Sequence, residues 1–158
     1  MKIMETPNLL LVSCTPEEAI ARVESMSLED RAEISPDWLA RASDKANPDP
    51  WTLGFSITHR VTGHVIGACG FKGPPTPDGI VEIAYGISDE HQGKGYATEA
   101  ADALVRYAIQ SGEVRLVIAH TVPDNYASQR VLVKCGFEFV GEVMEPDDGL
   151  VWRWIKTL

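Results

Sequence analysis

The apolar residues of the chain follow two spacings, and their order predicts a mixed α/β structure. Short stretches that are continuously apolar, or that alternate with polar residues, are typical of strands. These stretches are Leu9–Cys14, Trp51–Arg60, His64–Lys72, Ile80–Ile87, Val114–His120, Phe137–Met144 and Gly149–Thr157. The segment between Gly73 and Gly79 is rich in proline and predicts a loop.

Helical patterns lie between these strands. Thr15, followed by Pro16 and Glu18, has the pattern of a capping box, so a helix is predicted to begin there and to end near Met26. Further helices are predicted from Ser35 to about Asp44, from Ala97 to about Ser111, and from Asn125 to Gly136. With 158 residues, 44% of them apolar, and no internal repeat or linker, the chain is expected to form one domain over residues 1–158.

The charge balance narrows the function classes. The chain has 14 basic and 23 acidic residues and a net charge of −9, which repels a phosphate backbone, so we expect no nucleic-acid partner. No apolar run reaches the roughly 18 residues of a membrane span, and the first residues lack a secretory pattern. We therefore expect a cytoplasmic protein without a membrane partner. Cys14, Cys69 and Cys135 lack a metal-like spacing, which predicts reduced thiols and no metal site.

A glycine-rich loop carries the most informative chemistry. After the strand that ends at Ile87, Gly93 and Gly95 stand directly before the helix that includes Ala97. The first amides of a helix have no intrahelical partner, and the helix start carries about half a positive charge. Glycines there let a phosphate approach these amides. The loop therefore predicts an anion site made of backbone groups, although Gly-x-Gly before a helix is also typical of simple capping.

Two nucleotide motifs fit this loop poorly. A P-loop requires Ser or Thr after Gly-Lys, whereas Lys94 is followed by Gly95, so the P-loop is excluded. A dinucleotide fingerprint requires Gly or Ala three residues after the second glycine, and an acid at the end of the next strand. In this chain Thr98 stands three residues after Gly95, where Gly or Ala is required, and Glu113 comes before the next strand rather than at its end. A nucleotide-dependent oxidoreductase is therefore only a third hypothesis.

Two motifs in the second half match those of a known family. Gln92-Gly93-Lys94-Gly95-Tyr96-Ala97 fits the pattern Q/R-x-x-G-x-G/A, and Asn125-Tyr126-Ala127-Ser128 fits N-x-x-S/A, with Gly136-Phe137 closing the helix. On these residues the chain resembles the GNAT superfamily of N-acetyltransferases, and most of all its RimJ/RimL-like branch, which includes ribosomal-protein N-terminal acetyltransferases. The resemblance is specific from about Gly63 to Phe139 and extends over the whole chain.

The resemblance implies a fold and a cofactor. The fold is a single GNAT-type domain, with a mixed, mostly antiparallel central sheet of about six to seven strands flanked by about four helices. The sheet would be splayed between Ile80–Ile87 and Val114–His120, with Gly86 as a permissive place for a bulge. Acetyl-CoA would bind in that splay, and CoA would be the product.

The resemblance also implies which residues hold the cofactor. The pyrophosphate would be bound by Gln92, Gly93, Lys94, Gly95, Tyr96, Ala97 and Thr98. The pantetheine arm would contact Ile87 and Asn125. Asn125 taken alone is also a good helix cap, and both roles are compatible.

The implied reaction is a direct attack of an amine on the thioester carbonyl in a ternary complex. Glu82, an acid inside an apolar strand, is the candidate base, and apolar surroundings would raise its pKa. A glutamate that points to water at the sheet edge is the alternative, and His120 is a candidate relay. Many family members place Tyr where this chain has Leu132, so Ser128 is the candidate acid for the leaving sulfur.

The sequence thus leads to two principal hypotheses. The first is an acetyl-CoA-dependent N-acetyltransferase whose acceptor is a primary amine, either a protein N-terminal α-amine or a small molecule. The second is a catalytically inactive CoA-binding module that serves as a sensor or interaction domain, and the leucine at position 132 motivates it. The sequence is compatible with a monomer or a homodimer.

Overall fold

One open sheet of eight strands forms the centre of the molecule. The computed structural model describes residues 2–158, and its strands are β1 Ile3–Glu5, β2 Leu9–Ser13, β3 Phe55–His59, β4 Val65–Phe71, β5 Ile80–Ile87, β6 Leu116–Thr121, β7 Glu138–Glu145 and β8 Gly149–Thr157. Their order across the sheet is β1-β2-β3-β4-β5-β6-β8-β7. All neighbours are antiparallel except β5 and β6, which are parallel. The predicted mixed, mostly antiparallel sheet is confirmed, with more strands than expected.

Six α-helices connect the strands. They are α1 Pro16–Glu24, α2 Leu28–Ala32, α3 Pro36–Ala42, α4 Pro50–Leu53, α5 Tyr96–Ser111 and α6 Tyr126–Lys134. The capping box predicted at Thr15 is present, because the Thr15 side chain accepts a hydrogen bond from Glu18 N and the Glu18 side chain accepts one from Thr15 N. The cap fixes where α1 begins.

The predicted boundaries differ from the structure where local capping overrides apolar pattern. Trp51 was expected to begin a strand and instead lies in α4, because the Asp49 side chain accepts from Trp51 N and Pro50 occupies the first helical turn. Ser27 caps the unpredicted helix α2 in the same way. The three-residue strand β1 is too short for an apolar pattern to reveal it.

The main core lies between α5 and the sheet. Ala100, Ala101, Leu104, Val105 and Ala108 of α5 are buried, at the helical spacing that the sequence shows. They face buried strand residues, among them Leu11, Ile57, Val81, Ile83, Val117 and Ala119. Three of these five α5 side chains are alanines, so α5 packs on the sheet mainly through small side chains.

Strands β5 and β6 form a fork. They pair only through Ile80–Glu82 and Leu116–Ile118, and no pairing follows beyond these residues. Because β6 pairs with β8 over its whole length, the two halves of the sheet separate at this point. The predicted splay is confirmed. The bulge expected at Gly86 is wrong, since the β4–β5 register is continuous through the pair Ala68 and Gly86.

Two glycines beside the fork differ in their packing. A Cβ atom added at Gly67 would lie 2.2 Å from the Gly86 carbonyl oxygen, whereas one added at Gly86 would meet nothing within 4 Å. Neither glycine has a positive φ. The close approach of β4 to β5 therefore depends on Gly67.

We predict that Gly67→Ala destabilises the fold and that Gly86→Ala leaves its stability nearly unchanged. Forcing a methyl group against a backbone carbonyl costs about 1–3 kcal/mol, or roughly 2–10 °C in Tm for a chain of this size. Thermal unfolding of both variants measures the difference. Equal Tm values for the two variants would show that the strands can separate there without cost.

Candidate active site

The loop between β5 and α5 has the backbone conformation of an anion site. Gly93 and Gly95 are left-handed, with φ of 76° and 85°, and Gly95 is the N-cap residue of α5. A Cβ atom at either position would meet nothing within 4 Å, so it is the positive φ that calls for glycine there. No side chain of the described residues caps α5, so the amides of its first turn face outward.

A cavity of about 490 Å³ opens in front of these amides. It is lined by the end of β5, by the glycine loop and by one face of α6. Most of the predicted site residues line it, namely Ile87, Gln92, Gly93, Gly95, Tyr96, Ala97, Thr98, Asn125 and Ser128. Lys94 and Glu82 are not among the lining residues. Motifs that are distant in the sequence therefore meet in one cleft.

Two cations in this lining were missed at the sequence level. Arg130 and Lys134 lie one turn apart on α6 and line the same cavity as the glycine loop. They add positive charge locally in a chain whose net charge is −9. The sequence did contain a signal for them: Arg130 and Lys134 are four residues apart in the helix that Asn125 caps, so they share one helix face.

Gln92 and Asn125 each have a structural task. Gln92 Nε2 donates to the Ile87 carbonyl oxygen at 2.8 Å and to Asp89 Oδ1 at 3.2 Å, which fixes the loop. The Ile87 carbonyl is thus engaged by Gln92 and is not open to another partner at this position. Asn125 Oδ1 accepts from Ser128 N at 3.1 Å, so the helix-cap interpretation of Asn125 is confirmed.

Ser128 is paired with a tyrosine that the motif did not indicate. The Tyr85 hydroxyl lies 2.9 Å from Ser128 Oγ, and both residues line the cavity. Burial raises the pKa of Tyr85 to about 12, although the hydrogen bond with Ser128 acts in the opposite direction. Leu132, where many relatives of the motif have tyrosine, is completely buried and does not line the cavity.

Glu82 lies at the apex of the fork, in a polar cluster. Its Oε2 contacts Lys72 Nζ at 2.8 Å and His120 Nδ1 at 3.1 Å. Arg153 Nε donates to His120 Nε2 at 3.0 Å, which assigns the imidazole proton to Nδ1 and makes His120 a donor to Glu82. The expectation that Glu82 has apolar surroundings is wrong. Lys72, just after β4, and His120, in β6, both contact its carboxylate, and Arg153, in β8, contacts His120.

The same cluster affects its lysine. Burial lowers the pKa of Lys72, but the hydrogen bond and charge of Glu82 outweigh it, and the pKa lies above its ordinary value. Arg153 Nη2 also lies 3.5 Å from Glu145 Oε1. The cluster therefore pairs two glutamates with two permanent cations around a histidine whose side chain is only 7% exposed.

Comparison with known proteins identifies the family. The family model described as the acetyltransferase (GNAT) domain matches residues 7–138, most of the chain. The chain belongs to the GNAT family. It is 37% identical over 89 residues to the uncharacterized N-acetyltransferase YjdG of Bacillus subtilis, a match that covers 54% of the chain and 53% of the relative.

Other relatives extend the likeness. The chain is 32% identical over 77 residues to the ribosomal-protein-serine acetyltransferase of Escherichia coli, covering 49% of the chain and 43% of that protein. The structure of the ribosomal-protein-S5-alanine acetyltransferase of Vibrio fischeri has a TM-score of 0.74 at 16% identity, covering 99% of the chain and 97% of that structure, which shows the shared fold. The chain spans about half the length of the first curated relatives it matches.

The thiols of this GNAT domain are unsuited to nucleophilic chemistry. All three cysteines are free and buried. Burial raises the pKa of Cys135, at the end of α6, to about 11, and that of Cys69 to about 12. A thiol that stays protonated is a poor nucleophile, which disfavours an acetyl-cysteine intermediate. Residues 2–158 contain no cluster of potential metal ligands and no helix long and apolar enough to cross a membrane.

A carboxylate fixes the start of α5 to the turn between β1 and β2. Glu99, in the first turn of α5, accepts from Thr6 Oγ1 at 2.7 Å, from Asn8 N at 3.0 Å and from Asn8 Nδ2 at 2.7 Å. Beside it, the Tyr96 hydroxyl lies 3.1 Å from His59 Nε2. These contacts hold the helix start of the GNAT domain in place. Burial raises the pKa of Glu99, but these hydrogen bonds outweigh it and leave the pKa lowered.

We predict that Glu99→Gln lowers the stability at neutral pH but not in acid. Because the folded-state pKa of Glu99 is depressed, its contribution is complete above the ordinary carboxyl pKa of about 4.3 and is lost as the pH falls through the folded-state value. Because Glu99 is partly exposed, we take the contribution of its ionised form to the free energy of unfolding as about 1 kcal/mol, which corresponds to roughly 2–4 °C in Tm. Thermal unfolding between about pH 7 and pH 3 measures it.

The exposed Glu138 provides the matched control for this experiment. Glu138→Gln should leave the Tm unchanged across the same pH range. A Tm loss in Glu99→Gln that is equal at every pH would contradict the prediction, because the ionised form of Glu99 would then contribute nothing of its own.

Proposed function

We propose that this GNAT domain transfers the acetyl group of acetyl-CoA to a primary amine. One observation carries the proposal: the outward amides of α5, with left-handed Gly93 and Gly95, open onto a cavity that continues to Asn125 and Ser128. A diphosphate fits the amide end, and Arg130 favours its charge. A thioester on an extended arm fits the other end, at the fork.

The proposed binding roles follow the geometry. The segment Gln92–Thr98 holds the diphosphate, with Lys94 adding charge from outside the cavity lining. Asn125, whose oxygen caps α6, has its side-chain NH₂ as a donor toward the pantetheine arm. Ile87 lines the cavity at the open end of the fork, and since Gln92 engages its carbonyl, its N–H is the backbone group proposed to meet the pantetheine arm.

The proposed catalytic roles lie on two faces of the sheet. Along β5, Glu82 alternates with Val81 and Ile83, which face α5, so Glu82 is on the opposite face. Acetyl-CoA supplies the activated acyl carbon. Glu82 takes the proton that the amine loses, directly or through water, and Ser128 faces the leaving sulfur from the α6 side.

The cost of removing a proton favours an acceptor amine that is easily neutralised. Glu82 contacts the Lys72 ammonium at 2.8 Å and His120 Nδ1 at 3.1 Å, so its carboxylate is held in place at the apex of the fork. Neutralising a lysine side chain at pH 7 costs about 4.6 kcal/mol, whereas an α-amine with a pKa of about 7.8 costs about 1 kcal/mol. We therefore propose a protein N-terminal or other α-amine as acceptor, in line with the names of the ribosomal-protein acetyltransferases among its relatives.

A catalytically inactive CoA-binding module is the second candidate, and the burial of Leu132 favours it. Both candidates bind CoA, but only the enzyme releases free thiol from acetyl-CoA when an amine is present. A screen of peptide α-amines and small amines with thiol detection separates them. CoA binding without thiol release on the whole panel would favour the module.

We predict that Gly95→Ala weakens CoA binding, whereas Gly112→Ala does not. Gly112 is the matched control: it is the C-cap of α5, it has φ of 72°, and it also has free space around a Cβ atom. Both variants therefore incur a similar strain of about 1–2 kcal/mol. Only Gly95→Ala displaces amides aimed at the diphosphate, and the loss of one such bond weakens binding about 10–100-fold.

Titration calorimetry with CoA measures both variants, and their Tm values report the shared strain. Unchanged CoA affinity in Gly95→Ala would remove the loop from the cofactor site. Equal losses of affinity in both variants would assign the effect to the stability of α5 rather than to contact with the diphosphate.

We predict that Glu82→Gln lowers kcat about 100-fold near pH 7, as expected when a general base is removed. The loss should shrink as the pH rises and the α-amine becomes neutral in solution. Glu145→Gln is the control, because Glu145 belongs to the same cluster but lies on β7, away from the fork. Similar losses in both variants would show that the cluster acts only as a structural unit.

A further inference from the structure

We propose that Tyr85 is a positioning residue for the acetyl transfer: its phenol orients the hydroxyl of Ser128 toward the leaving sulfur. This inference rests on the proposed function and adds to it a residue outside the sequence motif. Tyr85 would thereby offset the absence of a hydroxyl at Leu132.

The placement of the two hydroxyls is specific. Tyr85 lies in β5 three residues after Glu82, where the fork has opened, and Ser128 lies in the first turn of α6. Their oxygens are 2.9 Å apart, and both residues line the cavity in front of the glycine loop. Tyr85 and Glu82 lie on opposite faces of the sheet. The groups that serve the amine and the sulfur are thus on opposite sides of the fork.

The direction of the hydrogen bond determines what Ser128 can do. A serine hydroxyl has one hydrogen to donate and can accept as well. A serine hydrogen can instead bond to a nearby backbone carbonyl, which would take it away from the cavity. The phenol hydrogen has two acceptors on Ser128, Oγ at 2.9 Å and the carbonyl oxygen at 3.4 Å, and donation along the shorter contact is the one that we propose. That donation holds the serine oxygen in place and leaves the hydrogen of Ser128 for a partner in the cavity. The phenol therefore keeps Ser128 available as a donor.

The state of the phenol is consistent with this role. Burial raises the pKa of Tyr85 to about 12, so the phenol keeps its proton throughout the neutral and mildly alkaline range. Leu132 is 0% exposed and packs in the main core, so it supplies no donor to the cavity. Tyr85 is the hydroxyl that contacts Ser128 directly.

The chemical step balances without a covalent intermediate on the protein. The amine nitrogen bonds to the acyl carbon, the carbon–sulfur bond breaks, and its electron pair remains on sulfur. The proton of the amine leaves through Glu82 to water. The thiolate accepts the hydrogen bond of Ser128 as it forms and takes a proton from water on release, so Tyr85 is unchanged at the end of each cycle.

Four variants test the inference: Tyr85→Phe, Ser128→Ala, the double variant, and Tyr107→Phe as control. Tyr107 is a matched tyrosine that packs against Trp51 and Phe71 in the core and does not line the cavity. The measurements are kcat and KM for acetyl-CoA with a peptide α-amine, the Kd for CoA and the Tm.

We expect Ser128→Ala to lower kcat about 10–100-fold, since a hydrogen bond to a charged sulfur is lost. Tyr85→Phe should lower kcat about 5–10-fold, with KM and Kd for CoA within about 2-fold of the parent. The double variant should match Ser128→Ala, because Tyr85 acts only through Ser128. Tyr107→Phe should keep kcat.

Other outcomes overturn either the role of Tyr85 alone or the proposed function as a whole. Full kcat in Tyr85→Phe, or losses that multiply in the double variant, overturns the role of Tyr85 while the enzyme stands. If Tyr85→Phe also raises KM and Kd for CoA and lowers the Tm, Tyr85 is a purely structural residue. No thiol release by the parent chain on any amine overturns the proposed function and this inference with it.

A fluorinated tyrosine at position 85 gives an independent readout that retains the ring. Fluorine makes the phenol more acidic, and the phenolate cannot donate to Ser128. The pH profile of kcat should therefore gain a loss on its alkaline side that the parent lacks, while the Kd for CoA stays unchanged. An unaltered pH profile, in a variant whose phenol is shown by its absorbance to ionise within the measured pH range, would contradict a donor role for the Tyr85 hydroxyl.

Discussion

The short pairing of β5 with β6 is the constraint on which the rest of the structure depends. Three residue pairs join the strands, and then they separate because β6 follows β8 on its other side. Where the two strands separate, backbone N–H and C=O groups along the gap have no neighbouring strand and need other hydrogen-bond partners. Helices α5 and α6 cover one side of this gap, and the Glu82 cluster closes its apex.

The proposed binding of an anionic cofactor by an acidic chain depends on backbone geometry. Its net charge of −9 opposes anions at long range, while the first turn of α5 attracts them at short range. Left-handed glycines produce this arrangement without adding charge. The same negative field favours positively charged acceptors, so the two substrates of the proposed reaction are recognised by different means.

Much of this architecture was predictable, and the failures have physical causes. Helix α5 and the strands β5 and β6 were evident because their apolar patterns are regular, and the start of α1 at Thr15 because a capping box is a local signal. Trp51 was misassigned because a cap by Asp49 decided its conformation rather than its β propensity. The site motifs identified the cleft, since each is contiguous along the chain.

Contacts between distant residues were not predictable in the same way. The pairing of Tyr85 with Ser128 spans 43 positions and depends on strand register, which no local pattern encodes. The environment of Glu82 was misjudged for the same reason, because Lys72 comes from the end of the neighbouring strand. Periodicity predicts which face a side chain occupies, but tertiary packing decides its partners.

The attachment of the β1–β2 turn to α5 has a consequence beyond local order. Thr6 and Asn8 are 91 to 93 positions from Glu99 in the chain, yet they restrain the turn of helix that faces the cleft. A molecule that binds only when this helix start is in place also favours the docked hairpin, by thermodynamic linkage. Occupancy of the cleft and protection of the N-terminal hairpin from proteases should therefore rise and fall together.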